Sequence, residues 1–217
     1  MIGSQLLRYQ RDQKYNILDT ETSGLNTCYS LPFQVSFLII TLDKDLEFHD
    51  YFIHWDNLRM SAGAKAITKF DEVSYREKAR PAKEILDIVE SYIFDPQYKI
   101  ACHNFLGYDS MILAAWRRAL GMKPIYDYLY QPFKVYDTVA LSKMYKKGIK
   151  PDISTSNNWL AHQYRVLDYV ERGLKTSLST MTKELNIETD VSRLHTADYD
   201  IKLNADVFRK LVKTIEV

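Results

Sequence analysis

Residues Tyr15–Leu25 read YNILDTETSGL, an apolar stretch closed by two carboxylates, Asp19 and Glu21, that run into Thr22, Ser23 and Gly24. A strand places alternate side chains on one face. Two acids at i and i+2 after a strand over Tyr15–Leu18 therefore point the same way. Side by side they repel unless something positive lies between them, and a divalent metal ion is the usual answer.

The segments around this stretch predict a sheet for it to join. Pro32–Leu42 (PFQVSFLIITL) is rich in Val, Ile and Phe and reads as a strand; Asp43–Asp45 reads as a turn and Glu47–His54 as a returning strand. Asn57–Arg80 is a less regular link to a helix over Pro81–Phe94. There Pro81 suits the first helical position, and Ile85, Ile88, Val89, Tyr92 and Ile93 recur at helical spacing. Lys99–His103 is a short strand, Asp109–Leu120 a helix with Gly121 at its C-cap, and Lys134–Tyr136 a further strand before a helix from Asp137. Gly148–Asn158 is Pro/Gly/Ser/Asn-rich and loop-like, and helical patterns return in Leu160–Arg172, Ser177–Leu185 and Asn204–Ile215. Antiparallel strands followed by strand–helix alternation imply an α/β fold, one mixed central β-sheet covered by helices. With no internal repeat or domain boundary, the expected organisation is an N-terminal extension, 1–14, and one domain, 15–217.

Composition narrows the class. The chain has 217 residues, 46% hydrophobic and 26% charged, which suits one globular domain that needs no disulfide or metal staple. No run approaches the roughly 18 apolar residues of a membrane span, so no membrane partner is expected. The amino end lacks the apolar region of a secretory signal, and Cys28 and Cys102 lack metal-ligand spacing. These features predict a reducing, cytoplasmic location, of a cell or of a virus-infected host. Net charge is +1, but bases cluster at Arg8/Arg11/Lys14, Arg117/Arg118 and Lys143/Lys146/Lys147/Lys150. They read either as a positive track around an acidic site or as ordinary solvated surface.

Asp109 ends ACHNFLGYD and opens an apolar helix, so alone it reads equally as a helix N-terminal acid. Asp200 in HTADYD has the same alternative, and His195 alone reads as a surface histidine. Together, four acids from three segments and one base that is neutral near pH 7 form a chemical set.

DTETSGL (19–25), HNFLGYD (103–109) and HTADYD (195–200) resemble the three exonuclease motifs of the DnaQ-like DEDDh family of 3′–5′ exonucleases, which have an RNase H-like fold and include polymerase proofreading subunits and exonuclease I-like enzymes. The resemblance runs from about Tyr15 to Phe208 and takes in Ala66–Thr68 and the Asp137–Thr138 step. Two departures stand out: three residues separate Asn104 from Tyr108–Asp109, and Lys69 and Phe70 replace a glycine-containing turn.

The resemblance implies that Asp19, Glu21, Asp109 and Asp200 hold two Mg²⁺ ions, which Mn²⁺ can replace, with Asp19 bridging and His195 as general base. Thr22, Ser23, Gly24, Leu25 and Asn104 would meet the 3′-terminal nucleotide, with Leu25 against its base. An ordinary turn at Thr22–Leu25 and an Asx-turn at Asn104 are the plain alternatives. Lys146, Lys147 and Lys150 are the expected phosphate contacts. The implied function is a metal-dependent 3′–5′ exonuclease that hydrolyses single-stranded or frayed DNA to nucleoside 5′-monophosphates, in DNA repair or replication. The alternatives are an exoribonuclease or oligonucleotide-trimming enzyme, with RNA as substrate, and a non-catalytic nucleic-acid-binding module. A proofreading role would require a separate polymerase or replication-complex partner.

Overall fold

The computed structural model describes residues 7–190, 193 and 196–217. Five strands, β1 (Lys14–Thr22), β2 (Pro32–Ile40), β3 (Asp45–His54), β4 (Arg80–Pro81) and β5 (Tyr98–Ile100), form one sheet in the order β4-β3-β2-β1-β5. The β1–β2 and β2–β3 pairs are antiparallel, as expected of a meander of Val/Ile/Phe-rich segments. β5 and β4 add in parallel to opposite edges. The sheet is thus mixed, with β1 between β2 and β5.

Strand alternation sends the two faces of β1 into different cores. Tyr15 and Ile17 pack with α5 (Thr138–Lys147), α6 (Ser156–Asp168) and α8 (Ala197–Thr214) through Leu141, Trp159 and Phe208. Leu18 faces the other way, towards α3 (Ala82–Phe94) and α4 (Asp109–Ala119), with Ile85, Val89 and Trp116. Each such fully buried side chain contributes roughly 1.5–3 kcal/mol of apolar burial. Helices on both faces of a mixed sheet give the expected RNase H-like architecture.

Several boundaries differ from the sequence expectation. β1 extends to Thr22, because antiparallel pairing with β2 carries its backbone through the polar residues, while β5 pairs only with its first three residues, Lys14, Tyr15 and Asn16. The link 57–80 holds two one-to-two-turn helices, α1 (Ala62–Thr68) and α2 (Glu72–Lys78). They are fixed by Ser61 and Asp71 side-chain caps rather than by an apolar stripe, so helical periodicity gave no sign of them. Pro81 pairs with His54 in the short edge strand and caps α3 from outside, so it is not the first helical residue. Lys134–Tyr136 forms only a single bridge, Ile100 to Val135. The final helix begins at Ala197, one to two turns earlier than its apolar pattern suggested. Leu7, within the expected extension, is buried in the α8-side core and donates its N–H to the Val217 carbonyl at 2.6 Å. Among the described residues no helix is long and apolar enough to cross a membrane.

Candidate active site

Asp19 and Glu21 share the face of β1 that carries Tyr15 and Ile17, the face covered by α8. A β-bulge between Glu21 and Thr22 breaks the ladder just beyond them. Bulges bend a strand and re-aim its side chains, and they concentrate beside functional sites. Asp200 stands in the first turn of α8, where the helix dipole favours a carboxylate. Asp109 opens α4 and is buried; the Thr20 hydroxyl, on the opposite side of β1 from its acidic neighbours, donates to its Oδ1 at 2.6 Å.

The carboxylates feel one another. Burial, reinforced by the Asp200 charge, raises Asp19 to about 6. Burial with the charges of Asp19 and Asp200 raises Glu21 to about 7. Burial and then Asp19 hold Asp109 well above the usual carboxylate range, against the pull of the Thr20 hydrogen bond. Asp19 is the common neighbour of the other three. No lysine or arginine among the described residues pairs with Asp19, Glu21 or Asp109. Carboxylate oxygens are the donor type that hard divalent ions take. They do not form a closed cage: among the described residues no three His, Cys, Asp or Glu side chains are gathered closely enough to hold an ion. His195 lies outside the described residues.

The loop before Asp109 is held from behind. Asn104 takes a left-handed conformation, φ +62°, one that Asn tolerates better than most residues, and its carbonyl accepts from the N–H groups of Gly107 and Tyr108. A Cβ on Gly107 would come within 2.4 Å of Asn104 Oδ1, so the absence of a side chain there leaves the Asn104 amide its present position. The Asp137 carboxylate accepts from the N–H groups of Asn104 (3.2 Å) and Leu106 (3.0 Å) while also capping α5 at Val139 and Ala140. Gln163 of α6, fully buried, accepts from the Asp137 N–H at 2.7 Å and donates to the Val135 carbonyl. His103 donates to or accepts from Thr138 at 3.0 Å, and burial lowers it to about 4, so it is neutral at physiological pH and part of this scaffold.

A cavity of about 260 Å³ opens beside Glu21, between the Thr22–Leu25 turn, α1 and Tyr108. Tyr108 closes one side by bonding to Thr22 Oγ1 at 2.6 Å and donating to the Gly24 carbonyl at 3.2 Å. Ser23 and Ser61 tie the turn to α1 through the Ser61 N–H to Ser23 carbonyl bond at 2.9 Å. Leu25 is 87% exposed at the rim and Ile67 of α1 is exposed beside it. Leu25, Thr22 and Gly24 therefore line a cavity next to the acids, and Asn104 belongs to the loop that carries Tyr108.

Ser23 and Asn104 lie beside the cavity without lining it, and the three expected lysines lie elsewhere. α5 starts beside the acidic end of the sheet, where Thr138 bonds to Asn204 and to the Cys102 carbonyl, and its ten residues carry the chain about 15 Å away. At its far end Lys146 pairs with Glu184 at 2.6 Å and Lys147 with Glu171 at 2.7 Å. Lys150 lines a separate cavity there with Arg8 and Ile215. None of Lys146, Lys147 and Lys150 lines the cavity beside Glu21, and the first two are paired with carboxylates at the far end of α5. Sequence reading also missed Thr20, Gln163, Ser61 and Ile67, and gave Asp137 no role. A polar residue inside a buried strand and a glutamine on the apolar face of a helix were the available signals for Thr20 and Gln163.

No family model matches the sequence, and no curated protein matches it. Solved structures do. The chain is similar in fold to exonuclease I. A structure of exonuclease I matches at TM-score 0.71 and 19% identity, over 94% of this chain and 41% of that one. The zinc-bound form of the E. coli exonuclease I–single-stranded DNA complex matches at TM-score 0.70 and 18% identity, over 93% and 40%. E. coli exonuclease I with a dA16 oligonucleotide matches at TM-score 0.69 and 19% identity, over 94% and 41%. The chain spans about two-fifths of the length of these proteins.

Proposed function

We infer that this chain is a metal-dependent 3′–5′ exonuclease that removes nucleoside 5′-monophosphates from single-stranded or frayed DNA. The observation that carries the reading is the adjacency of Glu21, within a mutually repelling set of four carboxylates, to a cavity rimmed by an exposed leucine. A phosphodiesterase needs both: oxygen ligands for divalent ions, and a recess for the nucleotide being released.

Asp19, Glu21, Asp109 and Asp200 would hold the ions, with Asp19 shared between them because it neighbours all three of the others. When bound, two divalent ions supply charge neutralisation on the phosphoryl oxygens and a water of lowered pKa. Thr20 orients the Asp109 carboxylate through its hydroxyl. His195, two residues before the α8 helix in the HTADYD motif, accepts the proton of the attacking water and passes it to solvent. Leu25 and Ile67 offer apolar contact to the terminal base, and Asn104 offers its amide to the terminal sugar or backbone. Such contacts do not read base identity, which suits a nuclease that degrades any sequence. Fold-related complexes of E. coli exonuclease I with single-stranded DNA favour DNA as the strand.

The reading is tested by restoring Mg²⁺ to chelator-treated protein on single-stranded DNA, with wild type and His195→Asn in parallel. Mononucleotide release that returns with Mg²⁺ and falls by about 10²–10⁴-fold in the variant is expected. Metal-independent release would overturn it.

A further inference from the structure

α1 is a wall with a cavity on each side. One is the cavity beside Glu21, lined by Ala64, Ile67 and Thr68. The other, about 520 Å³, lies between α1, α2 and the end of β3, lined by Trp55, Met60, Lys65 and Phe70 among others. Resting on the exonuclease reading, we propose that this second cavity is a subsite for upstream nucleotides of the same single strand whose 3′ end lies beside Glu21.

The chemistry of the cavity is that of a single-strand subsite. Trp55 and Phe70 supply aromatic surface, and Phe70 is braced by Phe33 (5.0 Å) and Tyr75 (5.3 Å), so the platform is rigid. Trp55 is anchored by its indole N–H to the Pro32 carbonyl at 2.6 Å and is half-buried. Base–aromatic stacking tolerates any sequence and contributes about 1–3 kcal/mol per base. Along the wall, Lys65 and Lys69 are exposed and form no ion pair with any described residue, whereas Arg76 is already paired with Glu72. The exposed Asp56 carboxylate, hydrogen-bonded to His54 Nε2, also lines the cavity, at the end of β3 rather than on α1. One ammonium group on this short helix and one at its C-cap are placed for phosphates crossing it between the two recesses. The distance suits the strand: a helix is about 10–12 Å across, or roughly three stacked nucleotides at about 3.4 Å each. Ile67, exposed on the other side of the same helix, continues the apolar surface from Leu25 towards the crossing. A strand held in both recesses stays attached while its end is replaced, which sets a minimum substrate length longer than the terminal nucleotide needs.

Tryptophan emission gives a direct test, because Trp116 and Trp159 are fully buried and Trp55 alone of the three lines a cavity described here. The full chain carrying Asp19→Asn, which leaves the strand uncut, is titrated with a dT oligonucleotide of about a dozen residues in Mg²⁺. Emission and anisotropy of a 5′-fluorophore on the strand are read together. Binding should quench tryptophan emission, and Trp55→Phe should remove that quenching. Independently, Lys65→Ala with Lys69→Ala should lower the slope of log K against log salt by about 1.4, two phosphates at about 0.7 each. Strand binding by anisotropy with no change in Trp55 emission and an unaltered salt slope would overturn the subsite and leave the exonuclease reading intact. No strand binding under any condition would count against the exonuclease reading itself and take the subsite with it.

Discussion

Thr20 Oγ1 donates to Asp109 Oδ1 at 2.6 Å, joining a strand residue that points away from the acidic face to the acid that opens α4. The bond fixes which way a buried carboxylate faces, and its loss leaves Asp109 with one donor fewer in a site already crowded with negative charge. Thr20→Val keeps the shape and removes the donor. Partners of this kind typically account for about 10–100-fold in metal affinity or activity. The expected result is a rise of at least about 10-fold in the Mg²⁺ concentration for half-maximal activity, with a small change in thermal stability.

The same crowding makes the metal-free protein pH-sensitive. Asp19 rises from its ordinary 3.8 to about 6, and Glu21 from 4.5 to about 7. Between those values the folded state holds protons that the unfolded chain has released, so stability falls as pH rises. In chelator, Tm should drop between about pH 4 and pH 7 as Asp19 and Glu21 ionise, and added Mg²⁺ should recover more of it at pH 8 than at pH 5. Asp19→Asn should flatten the chelator profile. A metal-free Tm that climbs through this window would contradict the account of the acids.

Gln163 is the rear support of the loop that carries Asp109. Gln163→Leu strands the buried Asp137 N–H, at a cost of about 1–3 kcal/mol. The urea midpoint should fall accordingly. Turnover should fall too, because Asp137 holds Asn104 and Leu106 in place.

Gly107→Ala separates positioning from folding. The new methyl would meet the flexible end of Asn104, 2.4 Å away, and that amide can rotate aside. Stability should change little while the KM for a single strand rises, because Asn104 no longer presents its amide. An unchanged KM would remove Asn104 from substrate contact.

Glutamine at Lys146, Lys147 and Lys150 should leave strand affinity and its salt dependence as they are. Two of these lysines are occupied by Glu184 and Glu171 at the far end of α5. A flattened salt slope in this triple variant would place the strand at that end of the protein.

How much of this was legible in the sequence follows from what each residue's signal depends on. β2 was readable from its run of Val, Ile and Phe, β3 from its alternation and α3 from apolar residues at helical spacing, properties local to each segment. The i, i+2 spacing of Asp19 and Glu21 was readable for the same reason, since alternation along one strand decides their face. α1 and α2 were not, because a side-chain cap at Ser61 or Asp71 leaves no periodic trace. Asp137 and Gln163 were missed as a pair because 26 residues separate them and only the packing of α6 against α5 brings them together. The pairing of Lys146 with Glu184 and of Lys147 with Glu171 was not legible, because clustering in sequence carries no information about which carboxylates the packing brings near.

The central claim is that these acids serve removal of nucleotides from a 3′ end, and a time course on 5′-labelled single-stranded DNA in Mg²⁺ tests it most directly. A ladder of products shortening one nucleotide at a time from the 3′ end is expected, absent in chelator and reduced at least about 10³-fold in Asp19→Asn. Internal cuts, shortening from the 5′ end, or an undiminished ladder in Asp19→Asn would contradict it.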